Sequence, residues 1–160
     1  DAWVWTMGTR QKAGEPQVWA GFLHEGFSEE RFTSYLKALE NPKMAPIVAP
    51  FFQSVENSRN LVIYLRSELD PERRSYEPGV GEFGEAANIG HLILSSYPVD
   101  KYSMSGVGLY RNVRAPDFTP AEKKIAQVIL EEVPWLHAAG WPGKEGATLP
   151  PDSGTSWWAG

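Results

Sequence analysis

The sequence predicts an α+β domain, a mostly antiparallel sheet of five to six strands with helices packed against it. Three observations lead there. Five stretches read as strands, with period-two alternation clearest in Ala2–Met7 and His91–Val99. Other stretches carry apolar residues at helical spacing, two of them behind recognisable N-caps, and the elements run strand, strand, helix, helix, strand, loop, strand, strand, helix. At 160 residues, 42% apolar and 22% charged, the chain suits one globular domain that buries a core.

In Ala2–Met7, Trp3, Trp5 and Met7 point one way and Ala2, Val4 and Thr6 the other. Gly8–Pro16 is a turn-rich break before Val18–His24, so the two strands should form an antiparallel hairpin with a long loop. Ser28 is an N-cap followed by Glu29 and Glu30, which the positive helix end favours. Phe27 and Phe32 have the spacing of a hydrophobic staple, and Phe32, Tyr35, Leu36 and Leu39 form the apolar stripe. Asn41-Pro42 ends this helix, since a residue before proline avoids the helical region.

A second helix is expected from about Ile47 to Glu56, with Pro50 in its first turn, where amides lack intrahelical partners. Asn57–Asn60 is a turn, and Leu61–Arg66 a strand with Leu61, Ile63 and Leu65 on its apolar face. Asp70–Phe83 reads as a loop with a helical turn at Pro71-Glu72-Arg73, and Glu85–Ile89 as a short helix. His91–Val99 and Met104–Asn112 are strands joined by a turn at Asp100-Lys101. Gly106 and Gly108 share one face of the latter, which signals a bulge or a neighbour lying close over the sheet. Thr119-Pro120-Ala121-Glu122 is a capping box with proline at N1, and Ala121, Ile125, Val128, Ile129 and Val133 are expected to be the buried stripe of the helix that Pro134 bends or ends. Beyond Gly140 the chain is rich in glycine and proline and lacks periodicity. On element order this is the general plan of PAS and GAF domains.

Composition excludes several functions. Twenty acidic residues against 15 basic ones, a net charge of −5, oppose a free-standing reader of nucleic-acid phosphates. Without cysteine there is no disulfide, thiolate metal ligand or thiol nucleophile, and a cytoplasmic setting is expected. No apolar run approaches the ~20 residues of a membrane span. His24, His91 and His137 are too far apart in sequence to form a metal-binding motif, so neither metal nor cofactor is expected. The sequence offers no G-x-S-x-G elbow or phosphate loop, and Glu29-Glu30 and Glu131-Glu132 diverge by about 100° on their helices. No catalytic residue is therefore expected.

A ligand pocket needs apolar walls with a few placed polar groups. His91, Ser95 and Tyr97 share a strand face, and Tyr64 sits on the less apolar side of its own strand. With Trp3 and Trp5 from the hairpin, these residues are the pocket candidates. The competing reading makes the same residues one half-solvated side of the sheet. The seven tryptophans suit core packing and ligand stacking equally.

Gly106-Val107-Gly108-Leu109-Tyr110-Arg111, Phe118-Thr119-Pro120-Ala121-Glu122 and Glu132-Val133-Pro134-Trp135-Leu136-His137 carry a resemblance to a known family. Gly26–Arg31 and Asn88–Ser95 fit it too. The sequence resembles the GAF-like or PAS-like sensor region that precedes the DNA-binding domain in bacterial LuxR-type helix-turn-helix transcriptional regulators. The resemblance implies a sensor domain over residues 1–139, with 140–160 as a tail or linker where a helix-turn-helix would follow. The chain starts at Asp1 inside an apolar pattern and runs through Pro151–Gly160 without that helix-turn-helix, so it looks like part of something longer and DNA contact would need the missing domain.

The expected role is thus a regulatory sensor that binds an unknown small molecule or a partner and signals through the final helix. In that helix Ile125, Val128, Ile129 and Val133 are the candidates for signalling or homodimer contact. A ligand-free dimerisation or spacer module is the alternative, and a small enzyme the third reading.

Overall fold

Alternation in the first strand makes β1 (Ala2–Thr9) and β2 (Val18–Glu25) antiparallel partners, with Val4 opposite His24 and Thr6 opposite Phe22. The structure, a computed structural model, describes residues 1–9, 18–81, 86–99 and 103–133. Within those residues β3 (Val62–Leu65), β4 (His91–Pro98) and β5 (Ser103–Arg111) complete a sheet of order β2-β1-β5-β4-β3. Every pairing is antiparallel. This is the five-stranded α+β architecture the sequence predicts.

Helix α1 (Glu29–Leu39) starts where Ser28 Oγ accepts the Arg31 amide, and the Phe27 and Phe32 rings of its staple lie 6.0 Å apart. A 3₁₀ turn at Pro42–Met44 leads into α2 (Ala45–Asn57), which begins earlier than the sequence suggested and carries Pro50 inside it. A four-residue helix, α3 (Arg66–Leu69), follows β3 directly. Helix α4 (Pro120–Glu131) has the predicted capping box, with Thr119 Oγ1 accepting from Glu122 N and the Glu122 carboxylate from Thr119 N.

Because side chains alternate along a strand, the register divides the sheet into two faces. On one, Ala2, Val4, Met104 and Tyr110 meet α1 and α2 through Tyr35, Ala38, Ile47, Phe51 and Val55. On the other, Leu65 and Ile93 pack on Ala126 of α4, flanked by Ile63, Leu109 and Phe118.

Three expectations need correction. The α4 stripe is not buried: Ile125, Val128 and Ile129 are 59%, 47% and 58% exposed, Ala121 is exposed and Val133 half-buried. The helix buries Ala126 instead, because ion pairs on that side hold a small residue against the sheet. Residues 86–89 are not helical, since Asn88 takes a left-handed φ of 51°. The helical turn expected at Pro71–Arg73 lies at Arg74–Tyr76, after Arg73 turns the chain with φ 57°. The turn at Asp100-Lys101, most of the Gly8–Pro16 break, Pro134, the Pro-Trp-Leu-His run and the 140–160 tail lie outside the described residues.

Candidate ligand cavity

The two glycines of β5 create the space beneath the helices. A Cβ on Gly108 would stand 2.2 Å from the Tyr110 hydroxyl, so glycine there lets the Tyr110 ring lie back along its own strand. A Cβ on Gly106 would meet only ordinary contacts, at 3.5 Å from Ser95 O and Thr6 Cγ2. Above this bare strip is a cavity of about 80 Å³, several times the roughly 10–15 Å³ that one water needs.

Its sheet wall is Val4, Thr6, Phe22, Leu94, Ser95, Met104, Gly106, Gly108 and Tyr110. Tyr35 and Leu39 from α1, with Val48, Phe51 and Phe52 from α2, close the other side. None of these side chains is charged. The polar groups are few: the Thr6 hydroxyl and the Tyr35–Tyr110 pair, whose oxygens lie 2.8 Å apart. Their rings meet edge-on at 5.4 Å, and Phe27 braces Tyr110 at 5.5 Å. Burial pushes the Tyr35 hydroxyl up to about 12, with its bond to Tyr110 pulling the other way. Burial, reinforced by the neighbouring Tyr35, drives Tyr110 well above its ordinary 10. Both phenols therefore stay protonated, and the cavity stays electrically neutral. Such a site can bind and orient a neutral guest.

Of the six residues predicted for a pocket, Ser95 reaches the wall through its backbone only, since register turns its side chain to the opposite face, where its hydroxyl donates to Val107 O. Tyr64 is on the cavity side, opposite Leu94, with its ring edge-on to Phe51 at 6.1 Å and its hydroxyl bonded to Ser54 at 2.9 Å. It braces the wall without lining it. Register places Trp3, Trp5, His91 and Tyr97 on the opposite face. There Trp3 Nε1 donates to Glu25 and Trp5 Nε1 to Ser105 Oγ, the latter at 2.8 Å. The structure thus distributes the six over both faces. Sequence reasoning passed over Tyr35, Phe51 and Tyr110 as ligand-facing groups, although the paired glycines of β5 were the available signal.

His91 sits in a separate cluster. Its Nδ1 lies 3.2 Å from Asp117 Oδ1, off the line of a hydrogen bond, and Arg66 Nη2 donates to Asp117 Oδ2 at 2.8 Å. Arg66 also donates to Asp70 O, so this buried arginine joins α3 to the segment before α4. Burial would raise the Asp117 pKa, but the Arg66 bond and charge outweigh it and hold the carboxyl below its usual range. None of these groups lines the cavity. Among the described residues no group of three His, Asp or Glu side chains converges as metal ligands, and no helix is long and apolar enough to cross a membrane.

No family model matches the chain, and no curated protein matches it. Among solved structures it is similar to the crystal structure of the VqsR LBD domain from Pseudomonas aeruginosa. The two are 15% identical, the match covers 85% of this chain and 72% of that one, and the TM-score is 0.47.

Proposed function

We propose that this domain is a regulatory sensor that takes a small, neutral, mostly apolar molecule between its sheet and the α1–α2 layer. The observation that carries the reading is the cavity itself: walled by apolar side chains, free of charge among the described residues, and furnished with a buried pair of protonated phenols. A charged guest would lose its hydration there with no counter-charge to replace it. A neutral one exchanges only apolar surface and one or two hydrogen bonds. Placement in a LuxR-type regulator is supported by the sequence resemblance through Gly106–Arg111 and Phe118–Glu122.

A guest alters output only if it binds two arrangements with different affinity. Strands β4 and β5 are common to both sides of the sheet: Leu94 and Met104 face the cavity, Ile93 and Leu109 the α4 side. A guest that shifts these strands against α2 therefore shifts the platform on which α4 rests. Thermal denaturation with 1-octanol, indole and sodium octanoate tests the reading. The neutral compounds should raise Tm in proportion to the logarithm of concentration once saturating, and octanoate should not. No rise with any neutral probe at its solubility limit would count against a ligand role.

A further inference from the structure

Tyr64, on the four-residue edge strand β3, touches both helix layers. On the cavity side its ring meets Phe51 edge-on at 6.1 Å, and its hydroxyl lies 2.9 Å from Ser54 Oγ. Ser54 gives its single hydroxyl proton to Pro50 O, also at 2.9 Å, so the Tyr64 hydroxyl is the donor to Ser54. From the opposite layer, Lys123 of α4 brings its ammonium to 5.6 Å from the centre of the Tyr64 ring, within cation–π range. The same ammonium donates to both Glu68 oxygens, at 2.8 and 2.7 Å. Glu68 in turn accepts the amide of Leu65, the residue after Tyr64, at 2.7 Å. These contacts join α2 to α4 at the edge of the sheet, apart from β4 and β5.

The α2 end of this chain of contacts lies where that helix bends most easily. Pro50 has no amide to give Pro46 O, so the helical ladder lacks a bond just before Phe51. The Ser54 hydroxyl, bonded back to Pro50 O, favours a bend at the same turn. Phe51 is buried and lines the cavity, one residue beyond that missing bond. A guest that presses on Phe51 therefore displaces the turn carrying Ser54, and Ser54 takes the Tyr64 hydroxyl with it. At the far end, a displaced ring alters the surface under Lys123 and the Leu65 amide that positions Glu68.

We propose that Tyr64 transmits the state of the cavity from α2 to α4, through Ser54 on one side and Lys123 and Glu68 on the other. The input rests on the cavity reading above, and the link has a test of its own. In the unliganded chain, with circular dichroism to verify folding, Ser54→Ala should shift the NMR amide signals of residues 122–126. In a Tyr64→Phe background, where the hydroxyl is already gone, the same substitution should leave them in place. Amides of α4 indifferent to Ser54→Ala, or moved equally in both backgrounds, overturn the proposal. Titration with 1-octanol then adds the guest. The Val4 and Leu39 methyls and the 122–126 amides should shift together in the unaltered chain, and only the methyls in Tyr64→Phe. Amides that follow octanol equally well in Tyr64→Phe would route the signal through β4 and β5, which overturns it too. Methyls unmoved by octanol refute the cavity reading, and the Ser54 comparison still decides the link.

Discussion

Tyr35 of α1 and Tyr110 of β5 touch hydroxyl to hydroxyl at 2.8 Å, the bond that joins helix to sheet at the wall of the cavity. Replacing either with phenylalanine removes one partner of a buried pair, which costs about 1–3 kcal/mol. Replacing both removes the bond and the stranded hydroxyl together. The double variant should be less destabilised than the two single losses add up to, as read by urea unfolding in a double-mutant cycle.

The two β5 glycines should respond differently to the same substitution. Gly108→Ala forces the Tyr110 ring off its strand, since the new Cβ would fall 2.2 Å from the hydroxyl. A loss of about 1–3 kcal/mol is expected, as for overpacking generally. Gly106→Ala meets contacts no closer than 3.5 Å and should be nearly neutral. Gly106→Leu should fill the space and abolish any probe-induced rise in Tm while the protein stays folded.

Acid should loosen α4 before the cavity side of the sheet. Glu122 is held down at about 2, chiefly by Arg111 and then by the Thr119 amide and hydroxyl. Glu68 and Asp117 are lowered as well, because Lys123 and Arg66 outweigh the burial that would raise them. A carboxylate whose folded pKa lies below its unfolded value stabilises the fold above the unfolded value, and that contribution fades as pH falls through the folded one. The α4 ties are therefore complete at neutral pH and should be lost from about 4.5 downward, the Glu122 tie near 2. Hydrogen exchange along a pH series should show α4 amides losing protection ahead of β1 and β5.

Arg111 acts through more than its charge. Its guanidinium lies 4.0 Å over the Phe118 ring while bonding Glu122, a geometry that a lysine cannot reproduce. Arg111→Lys should lower stability by about 1 kcal/mol, the scale of a partly exposed cation–π contact, and increase fraying at the start of α4.

What could be read from the sequence was whatever is decided locally. The Ser28 cap and the Thr119–Glu122 box lie within four residues of the amides they serve, and both appear as predicted. Strand alternation gave which residues share a face. It could not give which face α1 and α2 would cover, because that depends on pairings such as Tyr64 with Leu94, 30 positions apart in the chain. The outward stripe of α4 has the same cause. Periodicity marked Ile125, Val128 and Ile129 as one face, whereas its direction is set by ties such as Lys123 to Glu68, 55 residues away.

The central claim is that the space under α1 and α2 receives a neutral apolar guest. Methyl NMR of the protein titrated with 1-octanol tests it most directly, with octanoate as the matched charged control. Saturable shifts of the Val4, Leu39, Val48, Leu94 and Met104 methyls with octanol, and none with octanoate, are the predicted result. Cavity methyls unmoved by octanol, or moved equally by octanoate, would contradict the account.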